Sequence, residues 1–264
     1  MRIILLSLLF CNLGWGAFEM EAVDARNSSL GNSASALSLG AAGVFFNPAG
    51  LGQIEGPEAY LGYSNAFGLS ELSSEAVGVA YNFHKIGIGA GFSNFGEAGF
   101  YQEQRISLAG GRKLTDWMGV GGTVNYLILE ADGYAKQDAF SFDLGVLGEF
   151  RKFKYGGVVK NLNEPRIGGD RVIRNYNLGV AYQALPEVSI AAGLYYDTDF
   201  QEQMELGQEA KLSENFALRA GFQTEPNRYS LGAGFLWRKL EIDYGFVNHP
   251  ELGGSHVVGM KIKW

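Results

Sequence analysis

The sequence predicts an all-β fold, a transmembrane antiparallel β-barrel of about 14 strands with a small N-terminal hatch or plug, and three observations predict it. From Glu58 to Trp264 apolar residues recur at every second position. The chain holds 38 glycines, 18 phenylalanines and 13 tyrosines but only 6 prolines, an inventory that suits crowded or curved strands. The N-terminus has the form of an export signal.

Residues 1–16 read as that signal. Arg2 supplies the positive charge, Ile3 to Leu13 the apolar core, and Gly14-Trp15-Gly16 the small residues read by a signal peptidase, with cleavage before Ala17. The apolar run is too short for a spanning helix. Phe10 directly before Cys11 argues against lipoprotein processing, so the mature chain has no cysteine. That excludes disulfides, thiolate metal sites and cysteine nucleophiles. The formal charge of −7 becomes −8 once Arg2 is removed, and without basic clusters such a chain is a poor nucleic-acid binder.

Residues 17–56 are rich in Ala, Ser, Gly and Asn and lack strict alternation. Arg26 to Gly31 and Ala34 to Leu39 suit a short irregular helix or turns. Forty residues cannot bury a core alone, so the segment is expected to act as a plug inside or against the sheet. Its centre is Phe45-Phe46-Asn47-Pro48-Ala49-Gly50. Proline fixes its own φ and pushes Asn47 toward extended backbone. The Asn47 side chain can close the turn, and Gly50 and Gly52 are expected to supply unusual backbone angles.

Residues 57–264 are expected to form the barrel. Tyr229, Leu231, Ala233, Phe235 and Trp237 alternate with Ser230, Gly232 and Gly234, and Leu240, Ile242, Tyr244 and Phe246 with Glu241, Asp243 and Gly245. This is the half-buried strand signal. Strands are placed near 58–66, 75–83, 86–95, 104–113, 117–129, 138–150, 153–161, 174–183, 187–197, 203–212, 216–224, 228–237, 239–247 and 255–264. Very tight links alternate with mostly longer ones (67–74, 96–103, 130–137, 162–173, 198–202, 225–227 and 248–254), as in bacterial outer-membrane barrels with short periplasmic turns. That alternation places both termini on the periplasmic side of a bacterial outer membrane. A secreted sandwich or propeller would turn a polar face outward, whereas here the apolar face is wide and aromatic-tipped. Tyr60, Tyr63, Tyr81, Trp117, Tyr126, Tyr155, Tyr195, Tyr196, Trp237, Tyr244 and Trp264 read as interface girdles.

Parity puts Asp143, Glu149, Glu205, Glu209, Arg219, Glu241, Asp243, Lys261 and Lys263 on the lumen side. They read either as a polar conduit or as paired charges filling the interior, with Glu241 and Asp243 facing Lys261 and Lys263 across strands. Phe45 and Phe46 read either as a hydrophobic path or as packing between plug and wall. Catalysis has little support. His84, His249 and His256 are the only histidines, and Ser255 and Glu251 are near the last two in sequence alone, whereas a triad is recognised by geometry. The sequence contains no metal cluster, phosphate loop or dinucleotide fingerprint, and no cofactor is expected.

The small residues leading into Phe45-Phe46-Asn47-Pro48-Ala49-Gly50-Leu51 resemble the hatch of the FadL-type long-chain fatty-acid and hydrocarbon transporters. They are also similar to the PorV/PorQ-like outer-membrane proteins, as are Tyr229 to Phe235, Leu240 to Phe246 and Glu251 to His256. The resemblance implies a non-enzymatic 14-stranded outer-membrane barrel with an N-terminal plug. On the FadL side it implies passage of small hydrophobic molecules with sideways release. On the PorV side it implies an accessory of type IX secretion or surface attachment. Outer-membrane lipid, a small hydrophobic ligand and secretion-system proteins are the partners these readings call for, around a monomeric barrel. The outer links here are short for a FadL-type protein, the longest being residues 162–173, with polar Asn163-Glu164-Pro165-Arg166 within it.

Overall fold

A computed structural model of the chain describes residues 17–18, 23–84, 86–197, 199 and 202–264. The expected signal, 1–16, lies outside the described residues. Fourteen strands form one closed antiparallel barrel: β1 (Glu58–Asn65), β2 (Ser73–Phe83), β3 (Ile86–Glu97), β4 (Tyr101–Lys113), β5 (Met118–Ala131), β6 (Gln137–Phe150), β7 (Phe153–Lys160), β10 (Asn175–Leu185), β11 (Val188–Asp197), β12 (Gln203–Lys211), β13 (Phe216–Gln223), β14 (Arg228–Trp237), β15 (Leu240–His249) and β16 (Gly253–Lys263). Between β7 and β10 a small hairpin, β8 (Arg166–Ile167) with β9 (Asp170–Arg171), forms a two-stranded sheet outside the barrel ladder. The ladder closes where β1 pairs β16, from Glu58 opposite Lys263 to Asn65 opposite His256. Closure leaves no free edge, so every strand satisfies its backbone on both sides.

Period two decides which way each side chain points. Along β14, Tyr229, Leu231, Phe235 and Trp237 are exposed, while Ser230 is buried. On β15, Ile242 and Tyr244 are exposed and Asp243 is buried. The outer face is therefore apolar nearly all round and the polar residues face in, the reverse of a water-soluble sheet.

The links keep the expected alternation of short and longer, with two of the longer ones tighter than expected. At one end they are two to four residues long (84–85, 114–117, 151–152, 186–187, 212–215 and 238–239), and at the other three to fourteen (66–72, 98–100, 132–136, 161–174, 198–202, 224–227 and 250–252). The expected long links 96–103 and 248–254 shrink because pairing continues outward, Glu97 opposite Tyr101 and His249 opposite Gly253. Gly96, Gly99 and Gly253 take positive φ there, which lets such tight turns form.

Residues 23–54 run inside the barrel as α1 (Ala25–Ser29) and three 3-10 turns, Ala34–Ala36, Gly40–Val44 and Pro48–Gln53. Asp24 caps α1 by accepting the Asn27 N–H at 2.7 Å. Leu30, Leu39, Val44, Phe45 and Leu51 of this segment are buried, with Tyr60, Ala76, Ala80 and Ala109 of the wall in the same cluster.

Candidate functional site

Asn47 makes the central turn. Its Oδ1 accepts the Ala49 N–H at 3.2 Å, and its Nδ2 donates to the carbonyls of Ser35 at 3.1 Å and Val146 at 3.0 Å. One amide thus closes its own turn, ties it to the neighbouring turn and fastens both to β6. Pro48 opens the 3-10 turn, where its missing N–H costs nothing. Gly50 and Gly52 are not in the positive-φ region, contrary to the expectation of unusual backbone angles. Their smallness matters instead: a Cβ on Gly52 would lie 2.9 Å from the backbone of Arg112 and Lys113. Ala49 is fully buried.

The wall makes room in the same way. A Cβ on Gly87 would strike the Leu51 carbonyl, one on Gly91 the Phe45 ring, one on Gly121 the Pro48–Ala49 peptide, and one on Gly145 the Asn47 side chain. Gly156, Gly207 and Gly221 admit Ser35, Leu30 and Gly31 likewise. The inward glycines trace the path of residues 23–54 around the lumen. Phe45 is wedged among them and buried. Phe46 is partly buried, and the Lys160 ammonium sits 5.4 Å from its ring centre.

The lumen charges divide into a paired core and an exposed rim. Arg26 of α1 makes a bidentate pair with Glu209, Nε at 3.0 Å and Nη2 at 2.9 Å. Arg219 donates to the same carboxylate at 2.6 Å and to Asp243 at 2.5 Å. Burial alone lowers the pKa of the Arg26 guanidinium, and Glu209 beside it more than reverses this, holding it above its ordinary value. Lys261 meets Glu241 at 3.7 Å. Asp243 lies opposite Gly259 and takes Arg219 as its partner, so the expected pairing of Asp243 with the β16 lysines is replaced by one with β13. Asp143 belongs to another network, accepting from Asn125 Nδ2 at 2.8 Å and the Asn161 N–H at 2.9 Å. Glu149 and Lys263, at the short-turn ends of β6 and β16, are exposed.

At the long-link end the lumen is partly covered. Link 161–174 turns Ile167 and Val172 inward onto Leu127 and Phe18. Phe18 donates its N–H to Glu103 at 2.9 Å, with Arg105 over its ring at 6.0 Å. The wall begins and ends at the short-turn end, but Ala17 and Phe18 lie in the lumen near the opposite end.

Two of the expected girdle residues face inward instead. Tyr60 is buried and donates to the Val23 carbonyl, and Tyr195 donates to Asp197 at 3.0 Å. Ser255 and His256 point to opposite faces, as neighbours in a strand must. His256 Nδ1 is 2.7 Å from the Tyr244 hydroxyl, whereas Ser255 accepts the Phe67 N–H at 3.1 Å. His249 Nδ1 accepts the backbone N–H groups of Glu251 and Leu252, both at 3.2 Å. No Ser/His/carboxylate relay forms from these residues. Among the described residues no group of His, Asp and Glu is placed to hold a metal ion.

Arg26, Glu58 and Lys160 escaped the sequence reading. Arg26 had a usable signal as the single basic residue of segment 17–56. Glu58, which accepts the Ala41 N–H at 3.0 Å, had none beyond its inward parity.

Residues 122–206 match a family described as the F plasmid transfer operon TraF protein, which is less than half of the chain. That family is not the PorV/PorQ group. No curated protein matches the sequence. Solved structures match over nearly the whole fold. The toluene transporter TbuX of Ralstonia pickettii aligns at a TM-score of 0.72 and 13% identity, covering 94% of this chain and 100% of that one. The toluene transporter TodX of Pseudomonas putida aligns at 0.72 and 12%, covering 93% and 99%. A FadL homologue of Pseudomonas aeruginosa aligns at 0.64 and 13%, covering 94% and 97%. The chain has the closed 14-stranded fold of the FadL-type barrels.

Proposed function

We propose that the protein is an outer-membrane channel for small hydrophobic molecules, with residues 17–56 as its hatch and the short turns on the periplasmic side. One observation carries the reading. The Asn47–Pro48 turn lies directly behind the inward glycines Gly121 and Gly145, and in front of this same patch an apolar groove of about 700 Å³ opens on the outer face. Gly110, Gly122 and Gly157 floor that groove, and Leu144, Val146 and Leu178 flank it. Where hatch and groove meet, glycines face both sides of the wall, which suits sideways release into lipid. The apolar outer surface supports the membrane location, because so large an exposed apolar face is untenable in water. The names of the neighbouring structures, toluene transporters and a FadL homologue, point to the same class of cargo.

The test is uptake of toluene by vesicles carrying the purified barrel. Gly122 faces the groove, and a Cβ there meets nothing closer than 3.5 Å, so Gly122→Phe sends its ring into the groove and narrows it. Uptake is expected to fall at least several-fold with Gly122→Phe and to change with Phe45→Ala and Phe46→Ala. Uptake indistinguishable from wild type in all three folded variants would sink the reading.

A further inference from the structure

A second cavity lies at the long-link end of the lumen, away from the Phe45–Asn47 turn. It has a volume of about 140 Å³ and is enclosed by β1, β13–β16, the link after β1 and the inner segment near Asn32. Ala66, Phe67, Val247 and Val257 give it apolar walls. Arg228, His249 and Ser255 give it polar corners, serine and amide side chains of the inner segment and the wall complete the lining, and no carboxylate lines it.

Arg228 stands out among these groups. Its Nε is buried and has no hydrogen-bond partner, and among the described residues no carboxylate forms an ion pair with it. The other lumen arginine of this region, Arg219, holds two carboxylates. Leaving a buried donor of a charged group unpaired is costly, and an anion entering the cavity would satisfy it. The neighbouring corners also present donors. His249 Nδ1 is occupied as an acceptor by two backbone N–H groups, so the neutral ring carries its proton on Nε2. Ser255 Oγ accepts from Phe67, which leaves its own proton to give.

We infer that this cavity binds a small aromatic carboxylate, its ring against Phe67, Val247 and Val257 and its carboxylate on Arg228. The volume suits one six-membered ring, since an apolar cavity of about 150 Å³ is known to take benzene. The guanidinium fork matches a carboxylate bidentately, and an inorganic anion would leave the apolar walls unused. The inference deepens the channel reading and rests on it for the cargo's route: it names an acidic member of the cargo class, held at the outer mouth before passage.

The test is titration calorimetry of the full mature barrel in detergent with benzoate and with benzyl alcohol, which keeps the ring and lacks the charge. Benzoate is expected to bind more tightly than benzyl alcohol. Arg228→Gln should weaken benzoate by about ten- to a hundred-fold, the range for losing a charge-assisted pair, and leave benzyl alcohol unchanged. Arg228→Lys should retain part of the affinity, and Val247→Phe should abolish binding of both by filling the space. Benzoate binding no tighter than benzyl alcohol in the wild type would overturn the inference, and that comparison stands even where the Arg228 variants do not fold. Unchanged benzoate affinity in folded Arg228→Gln would overturn it equally. Toluene uptake, measured alongside, separates the two readings. Uptake without benzoate binding overturns the carboxylate site alone, and benzoate binding without uptake supports the site while overturning the channel.

Discussion

At the scale of single residues, Asn47 shows how one side chain can hold a segment in place. Asn47→Ala leaves the Ala49 N–H and the Ser35 and Val146 carbonyls without this partner. An unsatisfied buried group costs about 1–3 kcal/mol. Amide exchange is expected to speed up across residues 35–52 while the barrel strands keep their protection; unchanged exchange there would show that the amide does not anchor the turn. The wall glycines are the complement of Asn47. Gly91→Leu places a side chain where the Phe45 ring lies, so Phe45 must leave, and protease sensitivity within residues 23–54 should appear. The Asn-Pro turn was legible because proline and asparagine have few other uses in that order. The reason for Gly50 and Gly52 was not, because a glycine needed for its φ and one needed for its size look alike in a sequence.

Elements take their meaning from what they touch. Helix α1 has only five residues, too few to persist alone, and depends on the wall for its shape. Arg26 ties it to Glu209, and Arg219 joins Glu209 to Asp243, so one charge network links the helix to β12, β13 and β15. Breaking a buried ion pair from one side costs about 3–5 kcal/mol because the partners stay behind uncompensated. Arg219→Met is therefore expected to lower the temperature at which the barrel loses its heat-modifiable gel mobility. Arg26→Ala should leave that temperature nearly unchanged, since Arg219 still serves Glu209, while raising ion conductance in planar bilayers by loosening the helix. Equal conductance in wild type and Arg26→Ala would mean that the pair does not latch the segment. The strands were readable to within three residues, and the misses lie mostly at the long-link end, where pairing beyond the expected strand ends depends on what stands opposite, as at Glu97 and Tyr101.

For the whole molecule, the barrel and its filling have separate sources of stability. The closed ladder satisfies its own backbone and turns its apolar face outward, whereas residues 23–54 borrow the inside of a finished wall. A chain lacking residues 17–54 should still insert as a heat-modifiable barrel and should conduct ions far better than the full chain. Failure to insert would show that the inner segment is part of the folding unit, and unchanged conductance that it does not obstruct the lumen.

The sequence by itself determined the strand number, the facing of most strand residues and part of the inward set of charges, because in a sheet facing follows from parity alone; Glu58 and Lys160 were left out of that set. It also marked the Asn47–Pro48 turn, whose chemistry is local. Only the tertiary structure decided which inward charges meet: Asp243 finds Arg219 rather than a lysine of β16, and Arg26 reaches Glu209 across 183 positions. It alone decided that Tyr60 and Tyr195 face the lumen, that the wall glycines admit the inner segment, and that Arg228 stands in a pocket lined by no carboxylate. These depend on register around a closed ring and on the course of a segment with no periodicity of its own, and neither is written in any one stretch of chain.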